Sequence, residues 1–245
     1  VEDVQDVWTK AIANPIPPKE ISSDEAPCHE IIIEGANLDK PGNALDAIPV
    51  PISTPGWDVG PVATLTQYVT KDPDTGLQNM GNYRAQIKGP KRMGMNPSLE
   101  LRPGIYIHWE KMKARGEKLP AAVVLGAPSC VTFTAAQKLP ENLEEITVAG
   151  GLVGAPINVV KARTVDLFVP AEAEIVVEGY INTEMLEPEA PFGESHGHVN
   201  LQEFNAFMDV TCITRRSDPV MTSIISQVTP SESSCIKQVA YETIF

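Results

Sequence analysis

Bases are scarce in this chain. Its 245 residues hold 19 Lys+Arg against 32 Asp+Glu, a formal net charge of −13. A polyphosphate partner needs a basic surface, so nucleic-acid binding is not expected. Long apolar runs are missing too: none approaches the roughly 20 residues that span a bilayer. The four cysteines, Cys28, Cys130, Cys212 and Cys235, stand far apart with no CxxC pair. That spacing argues against a zinc knuckle or a disulfide framework and leaves buried reduced thiols in a cytoplasmic protein as the expectation. No Met opens the chain, and the acidic start Val1-Glu2-Asp3-Val4 has none of the features of a signal peptide. The sequence therefore reads as that of a soluble acidic protein, and as a piece of a longer one. It has no internal repeat, no low-complexity tract and no βαβ period.

What is present is enough to build a core. Hydrophobic residues make up 42% and charged residues 21%, which fits one large domain or two small ones and excludes global disorder. Charge is unevenly spread. Residues 1–60 carry 3 bases and 11 acids, residues 61–120 carry 10 and 5, and residues 121–245 carry 6 and 16. A basic segment between two acidic ones is a candidate place for an anionic ligand. The lysines from Lys111 to Lys118 read more simply as the solvated face of a helix.

Periodicity predicts helices over 4–13, 105–118, 129–137 and 143–149, with Pro15 to Pro18 stopping the first and Pro120 closing the second. Strands are expected over 30–34, 62–70, 82–88, 121–125, 157–162, 174–181, 208–215 and 220–226. Asp72-Pro73-Asp74-Thr75-Gly76 has turn chemistry, so 62–70 and 82–88 read as a hairpin whose end carries Asn79. Without a βαβ repeat, an α+β fold with a largely antiparallel, barrel-like sheet fits best.

Three stretches carry groups that chemistry could use. In Asn79-Met80-Gly81-Asn82-Tyr83-Arg84, an arginine entering an apolar strand needs an anion beside it, whether a ligand or one of the many carboxylates. The loop Glu187-Pro188-Glu189-Ala190-Pro191-Phe192-Gly193-Glu194-Ser195-His196-Gly197-His198 gathers three acids and two histidines on a backbone fixed by proline and glycine. Carboxyl groups sharing such a site resist ionising together, which keeps a proton available for donation; an acidic surface loop is the plainer reading. Pro140-Glu141-Asn142-Leu143-Glu144-Glu145-Ile146 leads into the glycine-rich 149–154 segment, where a glutamate at a helix start can cap the helix or bind a cation.

In this order the motifs resemble those of the UbiD family of reversible decarboxylases, which use prenylated flavin mononucleotide, a divalent metal, usually manganese, and potassium. The resemblance runs from Ala26-Pro27-Cys28-His29-Glu30 to about Ser226 and includes 72–84, 120–126, 140–154, 169–179 and 188–197. It implies a split β-barrel flavin-binding domain with flanking helices over 61–226. Residues 1–60 would then be a remnant of an α/β region, and 227–245 the start of a truncated C-terminal region. By position, Asn79 and Glu145 look like the metal ligands, with Glu145 also facing potassium. Asn82, Tyr83 and Arg84 look like flavin-holding residues. Gln137, Thr64 and the backbone from Thr134 onward are weaker candidates for the cofactor and potassium environment. Arg84, Glu189 and Glu194 match the family's Arg–Glu–Glu set, with Glu194 as proton donor and Glu189 holding Arg84.

The implied cofactors are therefore prenylated FMN, Mn2+ or Mg2+, and K+. The implied partners are a small aromatic or α,β-unsaturated carboxylate, a flavin prenyltransferase as cofactor supplier, and further copies or subunits in an oligomer. Family members often carry a metal-binding histidine in the stretch matching 96–104. This chain has none there; His108 is the nearest, and Glu100, a main-chain oxygen or water would complete the sphere. Ala190 also stands where a glycine is common. Two other readings compete: a non-catalytic cofactor-binding or assembly subunit of a multi-subunit carboxylase, and a plain FMN oxidoreductase on a split barrel. The intact Arg84/Glu189/Glu194 set argues against the first, and the carboxylate loop against the second.

Overall fold

The computed structural model describes residues 4–53, 56, 58–97, 102–140, 142–226 and 229–241, the last three as backbone only. In chain order, α1 (Val4–Ala13) is followed by β1 (Lys19–Glu20), β2 (Ile31–Glu34), β3 (Val62–Ala63), β4 (Gln67–Lys71), β5 (Gln78–Asn82), β6 (Ala85–Gly89) and β7 (Arg92–Met95). Next come α2 (Gly104–Ala114), β8 (Leu119–Leu125), α3 (Ser129–Ala135) and α4 (Glu145–Val153). The last third holds β9 (Asn158–Lys161), β10 (Phe168–Pro170), β11 (Ile175–Ile181), β12 (Glu187–Glu189), β13 (Phe192–Gly193), β14 (Val199–Asn200), β15 (Glu203–Arg215) and α5 (Glu232–Tyr241).

The main sheet runs in the order β3-β6-β7-β15-β11-β8-β4-β5, with β2 and β12 also on β15. Every pairing in it is antiparallel, so the expected α+β class with a largely antiparallel sheet holds. Alternation explains its two buried faces. In β8, Ala121, Val123 and Leu125 join one core while Ala122 and Val124 join the other. In β11, Ile175, Val177 and Ile181 face the first core, which α2 closes with Ile105, Trp109 and Met112, and Val176 faces the second.

The second face is covered by α3, α4 and a small sheet, β1-β9-β10. Trp8 of α1 packs edge-on to Phe133, with ring centroids 5.6 Å apart. Helix α4 contains Gly150-Gly151 in spite of their poor helix propensity. A Cβ at Gly151 would stand 2.7 Å from the Ala11 carbonyl oxygen, and one at Gly150 2.8 Å from that of Ile16. Close passage of the α1 segment thus requires both glycines.

Several boundaries differ from expectation for identifiable reasons. The 105–118 helix ends at Ala114, because Gly116 takes the left-handed conformation (φ 71°) that terminates helices; Pro120 lies inside β8. The 62–70 strand divides around Thr64, whose hydroxyl donates to the Ile224 carbonyl. The 82–88 strand is interrupted at Tyr83-Arg84, and the hairpin partner of β4 is β5. Asn79 therefore lies within a strand opposite Thr70 rather than at the hairpin's end. Residues 220–226 are not a strand: the Ile224 N–H goes to Thr64 Oγ1 and the Val220 N–H to Glu174, so side chains satisfy backbone that no ladder does. Of the cysteines, Cys28 and Cys212 are buried, but Cys130 is half-buried and Cys235 exposed. Among the described residues no helix is long and apolar enough to cross a membrane.

On the inner face of α2, His108 is buried with Nδ1 2.9 Å from Thr70 Oγ1. Burial pushes its imidazole down to about 4; Asp72 opposes that shift and Lys111 assists it. The unfolded chain, with an ordinary histidine near 6.5, takes up the proton first, so stability falls as pH drops below that value and levels off near 4. Between pH 7 and 5 this group alone is expected to remove about 2 kcal/mol. Urea denaturation of the protein and of His108→Gln checks this: the variant should lose that share of the acid sensitivity, and an identical pH dependence would refute the assignment.

Candidate active site

A cavity of about 870 Å3 opens between the β4–β5 hairpin, the α3–α4 connection, the 192–195 loop and α5. At one end stands Arg84. It leaves β5 at the break before β6, and its side chain turns to the loop that follows β12. Its Nε and Nη2 donate to the two Glu189 oxygens at 3.0 and 2.8 Å, and its Nη1 to Glu194 Oε1. Glu189 also accepts from Asn96 at 2.7 Å and Asn205 at 3.1 Å, both at Oε2. Burial works against the guanidinium charge, but the Glu189 bond and the charges of Glu189, Glu194 and Glu203 outweigh it and hold Arg84 above its ordinary range. The Arg84 guanidinium lies 5.0 Å over the Phe192 ring.

The two glutamates are not equivalent. Glu189 is 5% exposed at its side chain and stands behind Arg84, out of the cavity wall, whereas Glu194 is 23% exposed and lines the cavity. Glu194 has one further partner, the Asn200 amide at 2.9 Å. Its hairpin, β13–β14, is short and is held from outside: Ser226 donates to the Gly193 carbonyl at 3.1 Å, Thr229 to the Ser195 carbonyl at 3.0 Å, and Lys237 to Ser195 Oγ at 2.8 Å.

At the other end Asn79, Tyr83 and Glu145 meet. Glu145 begins α4, is buried, and accepts the Met80 N–H at 2.8 Å. Burial pushes its carboxyl up to about 7 against that bond, with Glu144 adding to the rise. Burial likewise raises the Tyr83 phenol, with the charge of Glu145 adding to the rise. Asn79 Nδ2 is buried without a partner, and its Oδ1 packs so closely on Gly104 that a Cβ there would be 2.0 Å away. Among the described residues Glu145 has no counter-charge, and a buried carboxylate beside an amide not fully used is a donor set suited to a hard cation. Among the described residues no three His, Cys, Asp or Glu side chains converge as a metal site. Any sphere begun by Asn79 and Glu145 would therefore need amide, main-chain or water oxygens.

The cavity wall also includes Thr64, Asn82 and Gln137. Asn82 is fixed by Gln67 at 3.0 Å, and the Thr134 hydroxyl turns back to the Cys130 carbonyl while Ala135 and Ala136 face the cavity. His196 and His198 lie tilted against each other with ring centroids 5.3 Å apart, exposed and outside the wall, and Glu187 pairs with Arg92 and Lys88. The acid–histidine loop is thus only partly a site. Lys111 is not simply solvated: it bonds Asp72 at 2.7 Å and Asp74 at 3.0 Å and borders the cavity. His108 lines the cavity, and Glu100 lies outside the described residues. Asn96, Asn200 and Asn205 had no local signal, since each acts on a carboxylate brought to it by folding.

A family model described as the UbiD 3-octaprenyl-4-hydroxybenzoate carboxy-lyase Rift-related domain matches residues 19–228. The chain belongs to the UbiD family. It is 36% identical over 208 residues to an uncharacterized protein of Synechocystis sp., covering 85% of this chain and 40% of that one. Among solved structures, the UbiD-class enzyme HmfF from Pelotomaculum thermopropionicum in complex with prFMN matches with a TM-score of 0.89 and 30% identity, over 99% of this chain and 54% of that one. Vanillic acid decarboxylase of Sedimentibacter hydroxybenzoicus matches with a TM-score of 0.85 and 29% identity, over 94% and 48%. The UbiD chain described here thus spans about half the length of these solved relatives.

The unequal settings of the two glutamates give a stability test. Glu189→Ala leaves Arg84 buried without its two-point partner and is expected to cost about 3–5 kcal/mol. Glu194→Ala, at a partly exposed position, should cost about 1 kcal/mol or less. Equal losses in urea denaturation would contradict the assigned division between a buried anchor and a cavity-facing acid.

Proposed function

We propose that the chain forms the prenylated-FMN site of a reversible, non-oxidative decarboxylase acting on an aromatic or α,β-unsaturated carboxylic acid. The observation that carries this reading is the meeting of two donor sets at one cavity: Arg84 with Glu194 at one end, Asn79 with Glu145 at the other. Family membership and a neighbour in complex with prFMN support it. Asn79 and Glu145 would hold Mn2+ or Mg2+ beside the flavin phosphate, with K+ near Glu145. Asn82, Tyr83, Gln137 and the Ala135–Ala136 backbone would border the cofactor, and Thr64 would brace its wall. Split-barrel closure is consistent with the core that β3, β6, β7, β15, β11, β8 and β4 share.

When bound, the modified flavin supplies the electron sink that these side chains lack. Arg84 keeps N–H donors beyond those given to Glu189 and Glu194, and with them orients the substrate carboxylate. Loss of CO2 leaves an electron pair on the former carboxyl-bearing carbon, and that carbon takes a proton from Glu194. Arg84 Nη1 and Asn200 then stabilise the Glu194 carboxylate until a proton from solvent restores the acid. Glu189 keeps the guanidinium in place throughout. Carboxylation runs the same steps in reverse.

In this reading a flavin prenyltransferase supplies the cofactor, and the working enzyme is an oligomer or a complex with further subunits in the cytoplasm. Co-expression with a flavin prenyltransferase should yield a protein with a modified-flavin absorbance and about one equivalent of manganese; a colourless, metal-free protein would overturn the reading for this chain. Glu194→Gln should keep flavin and metal but lose turnover at least a hundredfold, whereas a non-catalytic subunit would be indifferent. Gly104→Ala tests the metal end. Its new methyl displaces the Asn79 amide, not the backbone, so manganese content should fall while urea stability changes little.

A further inference from the structure

Two glutamates share Arg84, and their oxygens are used differently. Glu189 accepts at both. Its Oε1 takes Arg84 Nε at 3.0 Å, and its Oε2 takes Arg84 Nη2 at 2.8 Å, the Asn96 amide at 2.7 Å and the Asn205 amide at 3.1 Å. Both asparagines are buried. The Asn96 amide nitrogen also donates to Glu203 at 3.2 Å, which fixes the end it turns to Glu189. Glu194 accepts at one oxygen only. Arg84 Nη1 and the Asn200 amide both donate to its Oε1, the amide at 2.9 Å, and among the described residues no bond reaches Oε2.

Hairpin register explains why Asn200 is there. Phe192 of β13 stands opposite Asn200 of β14, and alternation returns Glu194 to the face that Phe192 occupies. Arg84 lies over the Phe192 ring, so guanidinium, acid and amide meet on one face of the hairpin. A carboxylate accepts at both oxygens, whereas a carboxylic acid donates from the oxygen that holds the proton and accepts at its carbonyl. Glu189, with four N–H donors over two oxygens, has the pattern of a carboxylate. Glu194 has the pattern of an acid whose carbonyl oxygen is Oε1 and whose O–H is Oε2. A neutral amide on Oε1 suits Glu194 with or without its proton, because it adds no charge.

We propose that Asn96, Asn205 and Asn200 assign the proton of the Arg–Glu–Glu set: the first two exclude it from Glu189, and the third, with Arg84 Nη1, directs it to Oε2 of Glu194. The proposal rests on the decarboxylase reading and names the atom that delivers the proton. After CO2 has left, the Oε2–H bond breaks, the new C–H bond uses the electron pair left on carbon, and the O–H pair stays on Oε2. The resulting charge spreads to Oε1, where Arg84 and Asn200 already donate. The three asparagines are positioning residues, acting through the glutamates they touch.

Infrared difference spectra of the flavin- and manganese-loaded protein on acidification read the proton directly, because a protonated carboxyl group has a carbonyl stretch clear of the amide bands. Subtracting the Glu194→Gln spectrum should leave one such band, and subtracting that of Glu189→Gln should leave none at the same pH. In Asn200→Leu the Glu194 band should move to higher wavenumber, since its carbonyl loses a donor, and kcat should fall about tenfold with KM little changed. In Asn205→Leu a Glu189 band should join that of Glu194; this result stands alone if Asn200→Leu does not fold. Amides that merely supported the fold would move neither band. The proposal is overturned by a Glu194 band unaltered in Asn200→Leu, by a Glu189 band already present in the unmodified protein or still absent in Asn205→Leu, or by no Glu194 band at any pH at which the protein stays folded. The decarboxylase reading fails separately, on a protein that takes up no modified flavin or whose turnover survives Glu194→Gln.

Discussion

The two-point bond between Arg84 and Glu189 is the constraint on which the site depends. A buried ion pair is expensive to desolvate and is tolerated only when its remaining lone pairs and protons are satisfied. Here Glu189 takes two N–H groups from Arg84 and amide donors from Asn96 and Asn205. Those partners come from the end of β7 and from β15, so the pair ties three separate regions of the sheet together. With Nε and Nη2 committed, the guanidinium plane is fixed, and Nη1 is left aimed at Glu194. The cavity-facing acid is thereby positioned by a group whose own position is over-determined.

The same strand segment serves both ends of the cavity. Asn79 lies inside β5 and Arg84 five residues later, just past its end. At about 3.3 Å per residue the chain between them can span at most roughly 16 Å, so one short segment carries a side chain to each end of the cavity. Register does the rest. Asn79 lies opposite Thr70 of β4, and Thr70 bonds His108, so α2 is docked where its first residue, Gly104, meets the Asn79 amide. The glycine and the asparagine are one structural feature, even though 25 positions separate them.

What could be read from the sequence was what local pattern encodes. The alternation in β8 and β11, the stop after α1, the helical stretch of α2 and the residues of the Arg–Glu–Glu set were all legible, the last through family likeness rather than spacing. The misreadings share one cause. Residues 220–226 alternate like a strand, but the Val220 and Ile224 N–H groups are taken by Glu174 and Thr64, which are far away in the chain, and that of Ile225 by Glu232. Asn96, Asn200 and Asn205 look like ordinary polar residues until Glu189 and Glu194 are brought beside them. His196 and His198 share a loop with Glu194, yet the turn between them points both outward. Proximity in sequence gave false company there, and distance hid true partners.

The short hairpin that carries Glu194 raises a further physical point. Two residues per strand cannot hold a hairpin in water by themselves, so the position of the acid is set by what grips the loop. Those grips are Ser226, Thr229 and Lys237 on one side and Arg84 on the other. Three of the four come from the segment that ends in α5.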